Sequence, residues 1–208
     1  VRITHDGRAW AGKTVRWNGA DVSIAEDAGP YSEDAGPYRA SGGELRVVDG
    51  RLYGPDPGGG WVDLGSTESV DPGSGTTPAE QLAAVREDIG GVTLRRITPA
   101  MTGLTTSRLA DGSVVYRGTV PAGLIARGPG FKEGHAIRVF PFGYVAHDEA
   151  ADRAALLDTS VTVTDGIVRE IAMTWGTNAS AWTYTVAYSK LGATRAPVAP
   201  ANPRPLRP

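Results

Sequence analysis

Thr159-Ser160-Val161-Thr162-Val163-Thr164-Asp165-Gly166-Ile167-Val168-Arg169-Glu170-Ile171-Ala172-Met173-Thr174-Trp175 is the stretch that decides the fold class. Two β-prone runs flank a single Asp-Gly pair, which supplies the two φ > 0 residues of a tight type I′ turn. In the second run Ile167, Ile171, Met173 and Trp175 alternate to one side, and Val168, Glu170, Ala172 and Thr174 to the other. After a short loop, Trp182, Tyr184, Val186 and Tyr188 line one face, opposite Thr183, Thr185 and Ala187. A period of 2 carried by β-branched and aromatic residues predicts an antiparallel meander with one apolar side that something must cover.

The same turn signal recurs along the chain, at Asp6-Gly7, Asn18-Gly19, Asp49-Gly50 and Asp111-Gly112. Repeated hairpin signals predict antiparallel strands and exclude the parallel βαβ folds that house most nucleotide-binding enzymes. Residues 1–24 read as three short strands, with Val15 and Trp17 on one face of an arm and Val22 and Ile24 on one face of the next. Glu44 to Leu64 resumes the pattern around Asp49-Gly50, and a Pro/Gly loop leads to Trp61. Thr77 then offers an N-cap, with Pro78 at N1 and Glu80 at N3 completing a capping box. Leu82, Val85 and Ile89 form one apolar stripe, so a helix is expected over about 78–89, stopped by Gly90-Gly91. Val92 to Ile97 reads as a strand. Met101 to Leu109 and Val114 to Val120 form a further hairpin, with Val114, Tyr116 and Val120 on one face and Pro121 ending it. Ala122 to Arg127 suits a helical turn, and the Ala-rich segment from His147 to Leu157 a short second helix.

Composition narrows the function classes. The 208 residues suffice for a substantial core, and 23 acidic against 21 basic residues, a net charge of −2, leave no electrostatic footprint for nucleic acid. No cysteine is present, which removes disulfides, thiol catalysis and cysteine-ligated metals. No apolar run is long enough to span a bilayer. The sequence starts at Val1 without an initiator Met, and a signal sequence or membrane anchor is expected upstream. From Gly192 onward five prolines among seventeen residues predict an extended Pro-rich tail (192–208) beyond a single domain over 1–191.

Motifs for chemistry are thin. No G-x-S-x-G elbow, P-loop, dinucleotide fingerprint or H-E-x-x-H is found. His147, Asp148, Glu149 and Asp152 concentrate titratable groups, and on a helix Asp148 and Asp152 would share a face and could bridge a cation. The same residues make the acidic first turn that a helix dipole favours. The repeat Glu26-Asp27-Ala28-Gly29-Pro30-Tyr31 and Glu33-Asp34-Ala35-Gly36-Pro37-Tyr38 reads as a duplication in a surface loop, because its acidic spacing fits no cation loop. The apolar side of the meander is the remaining candidate site. Two short helices cover only part of such a sheet, and the rest must be closed by curvature, by loops or by a ligand.

The run Glu44-Leu45-Arg46-Val47-Val48-Asp49-Gly50-Arg51-Leu52-Tyr53, the Pro/Gly loop, Trp61 and the helix from Pro78, followed by the meander 159–188, resemble the bacterial lipoprotein-carrier family. That group joins carriers of the LolA type, periplasmic sigma-regulatory sensors and actinobacterial glycolipid-binding lipoproteins. The resemblance implies an α+β fold: a curved antiparallel sheet, a half-open barrel of hairpins, with one principal helix and a short second helix on its concave face. It implies a non-catalytic, extracytoplasmic protein of the cell envelope, anchored upstream of residue 1, that holds a lipid or lipidated protein as cargo and needs no cofactor. By pattern the ligand-binding cavity face is expected to include Tyr116, Ile171, Met173, Trp175, Trp182, Tyr184 and Val186, with Gly90, Gly91, Gly123 and Gly128 as hinges of a movable lid. Its Trp and Tyr are bulkier and more polar than the aliphatic side chains best suited to acyl chains. Two other readings are a sensor or adaptor domain of a membrane-anchored regulator, contacting a membrane-associated protein partner, and a metal-dependent hydrolase centred on His147, Asp148 and Asp152.

Overall fold

The computed structural model describes residues 2–5, 8–27, 44–70, 77–80, 82–83, 91–121, 156–176 and 181–206. Twelve strands are assigned among them: β1 (Arg2–His5), β2 (Arg8–Asn18), β3 (Asp21–Asp27), β4 (Glu44–Val48), β5 (Arg51–Pro55), β6 (Trp61–Ser66), β7 (Thr102–Arg108), β8 (Val114–Pro121), β9 (Leu156–Thr164), β10 (Ile167–Trp175), β11 (Trp182–Ala187) and β12 (Arg204–Pro205). One helix, α1 (Gly91–Ala100), joins them, and a helical turn starts at Pro78. Among the described residues the protein is mostly β and antiparallel, with few and short helices, and the strands do not close into a barrel.

Two compact units are distinguished. The first contains residues 10–82 and 190–208, the second residues 2–9 and 83–189. In the first, β2 to β6 form an antiparallel meander in chain order, and β12 runs parallel to the outer strand β6. Val15 pairs with Ile24 and Trp17 with Val22, which places the four on one face as their alternation predicts. In the second unit the order is β1-β11-β10-β9-β8-β7, and every pairing is antiparallel.

The turns follow local chemistry with instructive exceptions. Asp49-Gly50 (φ 51 and 72) and Asp165-Gly166 (φ 52 and 74) are the two left-handed residues of type I′ loops, closing Val48 on Arg51 and Thr164 on Ile167. At the β2–β3 hairpin the loop is displaced by one residue: Asn18 pairs with Asp21, so Gly19-Ala20 is the connection and only Gly19 has φ > 0. At β7–β8 the Gly112 amide donates to the Leu109 carbonyl (3.1 Å) and Gly112 alone is left-handed (φ 86), the longer loop of a type I turn ending in a glycine. Asp6-Gly7 lies outside the described residues.

Two expectations about helices are corrected. The segment Val92–Ile97, read as a strand, lies within α1. Its β-branched residues favour a strand weakly, but Leu94, Ile97 and Met101 recur at helical spacing. Ile97 is fully buried and α1 packs on β8, so tertiary burial outweighs propensity. At the other end of the chain Leu156 and Leu157 open β9 and do not close a helix. The capping box at Thr77 forms as its residues dictate: the Glu80 amide donates to Thr77 Oγ1 (3.1 Å) and the Thr77 amide to the Glu80 carboxylate (2.8 Å). The remainder of that helix beyond residue 83, the turn at 122–127 and the segment 147–155 lie outside the described residues, as does most of the duplicated acidic loop.

Candidate functional site: the apolar face of the second sheet

Register assembles the site. Tyr116 stands opposite Val161, Val161 opposite Ile171 and Ile171 opposite Val186, one row across β8, β9, β10 and β11. The next row is Gly118, Thr159, Met173, Tyr184 and, on β1, Ile3. Trp175 pairs with Trp182, and Trp182 with His5. The backbone therefore brings all seven sequence-selected positions to one face. Ile171 and Met173 are each 1 % exposed, Tyr184 3 % and Val186 5 %, while Tyr116 is half-buried. Trp175 and Trp182 are placed by register alone. At the ladder-paired positions of this face on β8 to β11 no Asp, Glu, Lys or Arg occurs; Arg169, two residues before Ile171, stands at its edge where the register shifts.

Pattern reading missed several members. Leu157 and Val161 on β9 and Ile97 on α1 are deeply buried, as is Val120 on β8, which the alternation itself sets beside Tyr116. The alternation Leu157, Thr159, Val161, Val163 carried that signal, but its first part was assigned to a helix. Thr159 is the polar member, 3 % exposed, and its hydroxyl is satisfied by donating to the Leu157 carbonyl (3.1 Å). Ile167, expected beside Ile171, is instead 42 % exposed. The register shift between Val168 and Glu170 inserts Arg169 as an extra residue, which turns Val168 toward Val163 on the apolar face and Ile167 toward Thr164 on the other.

The opposite face of this sheet is threonine-rich, and Thr174 and Thr183 share a hydroxyl hydrogen bond (3.0 Å). Where α1 enters, Gly118 is the point of closest approach. A Cβ there would lie 2.6 Å from the Thr102 carbonyl oxygen and 3.4 Å from Met101 Cε. The absent side chain thus lets Met101, at the end of α1, lie against the apolar face. Past the end of β11, the Tyr188 amide donates to the Arg169 carbonyl (2.8 Å), and burial pushes the Tyr188 phenol up to about 12.

In the first unit two carboxylates are held by arginines. Glu44 is held below the usual carboxylate range by its hydrogen bond from Arg46 (2.9 Å). For Asp63 burial acts upward, but hydrogen bonds from Arg51 (2.6 Å) and the Gly65 amide (2.9 Å) prevail and lower it. Among the described residues no group of three or more His, Cys, Asp or Glu side chains is placed to hold a metal ion. His147, Asp148 and Asp152 lie outside them, as do Gly90, Gly123 and Gly128; Gly91 opens α1. No helix among the described residues is long and apolar enough to cross a membrane. No protein-family model matches the chain, and no curated protein matches it.

Proposed function

We propose that the chain is a non-catalytic binding module for a lipid or lipid-modified protein on the extracytoplasmic side of a bacterial envelope. In this reading the second sheet curves as a half-open barrel with one principal helix and a short second helix on its concave side, and the acyl part of the cargo is held between them. The observation that carries the reading is the apolar face spanning β8 to β11, whose ladder-paired rows combine aliphatic, methionine and aromatic positions. Removal of such surface from water is worth about 25 cal/mol per Å² and requires no directional chemistry, which suits a carrier of varied acyl chains.

Native mass spectrometry of the protein from its host's membrane-associated fraction tests this directly. The expected spectrum shows a reproducible adduct of lipid mass that is lost on denaturation, and displacement of a fluorescent fatty-acyl probe by the extracted lipid. A bare mass together with no probe binding overturns the proposal.

A further inference from the structure

The Pro-rich segment carries a second recognition surface. From residue 194 to 200, Thr194, Pro197 and Pro200 are half-buried, whereas the residues between them are exposed; the chain then bends at Asn202, with φ 51, before Pro203. Burial of every third residue is the period of a polyproline II helix, which has three residues per turn and no internal hydrogen bonds. Its carbonyls must therefore be satisfied from outside. Asn18 Nδ2 donates to the Thr194 carbonyl (3.0 Å), and Arg46 Nη1 to that of Val198 (3.1 Å). The same Arg46 guanidinium lies over the Trp61 ring, 4.5 Å from its centroid. The register Ser23–Arg46–Tyr53–Asp63 shows that Arg46 shares its face with Ser23 and Tyr53, which are 3 % and 7 % exposed. Further on, Arg204 pairs with Asp56, whose side chain is 4 % exposed. Finally β12 lies parallel to Val62–Asp63, and the Leu206 amide donates to the Asp63 carbonyl (3.1 Å).

We propose that this face of the first unit is a binding surface for proline-rich peptides that enter in the polyproline II conformation and bend before a terminal arginine, filled here by the chain's own residues 194–206 as a displaceable strap. Three features define the ligand chemistry. Pro197 and Pro200, three residues apart, keep one edge of the helix on the sheet, and the bend at Asn202 turns the chain toward Asp56. Side-chain donors Asn18 and Arg46 read backbone carbonyls, with an aromatic ring backing the second donor. An arginine seven residues beyond the first docked proline enters a buried carboxylate. Aromatic-lined grooves that take preformed polyproline II segments use the same division of labour. The binding energy comes from Asp56, Arg46 and Trp61, all outside the strap, so a peptide of the same pattern from another source competes for the same positions.

The test uses the full chain bearing Arg204→Ala, which weakens the strap's anchor and leaves the receiving face intact. A fluorescently labelled peptide of residues 193–208 with the natural sequence should bind this variant saturably in an anisotropy titration. Binding should weaken at least about tenfold, or about 1.4 kcal/mol, for a peptide with alanine at Pro197, Pro200 and Pro203, and likewise when Arg46→Ala is added to the chain. Equal binding of the natural and alanine peptides overturns the proposal. A second measurement needs no substitution: hydrogen exchange at the Leu206 amide of the natural chain should accelerate with excess unlabelled peptide as the strap is displaced. Unchanged exchange at millimolar peptide shows a fixed element of the fold and also overturns it.

Discussion

Gly118→Ala places one methyl group where β8, β7 and the end of α1 converge. Its Cβ would stand 2.6 Å from the Thr102 carbonyl oxygen, against about 3.3 Å for the shortest ordinary C–H···O contact. The deficit of about 0.7 Å falls on backbone, so β7 must move outward and stretch the Thr102–Thr119 hydroxyl pair (3.0 Å) at its edge. Overpacking of this kind costs about 1–3 kcal/mol. Alanine returns about 0.4–1 kcal/mol by restricting the unfolded chain, because φ at this position is not left-handed. The expected net loss is about 1–2 kcal/mol, and at a urea slope of about 1–3 kcal/mol/M the midpoint falls by roughly 0.3–2 M with the slope unchanged. Urea unfolding followed by circular dichroism measures it. Adding Met101→Ala separates the two neighbours. Met101 Cε is 3.4 Å away and flexible, so its removal should not restore stability. A single variant as stable as the natural chain, or full rescue by Met101→Ala, would refute the argument that a backbone carbonyl sets the packing distance here.

Two further expectations concern each unit in turn. Met173→Ala, at a position 1 % exposed, should lose about 2–5 kcal/mol, whereas Thr162→Ala on the opposite face should lose far less; equal losses in urea melts would show that the apolar face is not packed. Glu44 and Asp63 have folded-state pKa values below their unfolded ones, so the unfolded chain binds more protons and stability rises with pH. Their contribution is complete above the ordinary carboxylate pKa of about 4 and disappears as pH falls through the lower folded values. Urea midpoints taken between pH 6 and 2 should therefore drop on acidification, less steeply for an Arg46→Ala/Arg51→Ala chain; parallel curves would sink the assignment.

What the sequence discloses depends on the range over which each feature is decided. Asp49-Gly50 and Asp165-Gly166 are legible because a type I′ turn is fixed by two adjacent residues able to hold φ > 0. The apolar face is legible for the same reason at longer range, since alternation in β10 and β11 survives wherever the pleat is regular. It fails at Arg169, because nothing in Ile167-Val168-Arg169-Glu170 announces that one residue will be left out of the ladder. α1 escapes for another reason. Gly90-Gly91 and the β-branched residues argue locally for a stop and a strand, and only the fully buried site that receives Ile97 decides otherwise. The capping box at Thr77 and the helix start at Pro78 were readable, being closed within four residues. Arg46, Trp61 and Asp56 could not have been grouped with the prolines, because about 150 residues of chain separate groove from strap.

The two sheets cover their faces by different means, and the difference bears on which cover can open. In the second unit the cover includes Ile97 with no exposure, and burial of such a side chain is worth about 1.5–3 kcal/mol. Withdrawal of α1 would surrender that energy unless another apolar body took its place. An acyl chain is such a body, so opening and loading would be one event under the proposed carrier function. The strap of the first unit is held otherwise, by half-buried prolines and by donors at exposed hydrogen bonds. Hydrogen bonds that trade with water contribute about 0.5–1.5 kcal/mol each, and water can replace the protein donors as the strap leaves. Beyond the backbone pairing of β12 with β6, its most deeply set side-chain contact among the described residues is Arg204 on Asp56. Departure of the strap leaves that carboxylate buried without its cation, a penalty that another arginine removes. Exchange for a peptide carrying arginine at the same spacing is therefore favoured over simple release, and this makes the Arg204–Asp56 pair the determinant of which peptides can compete.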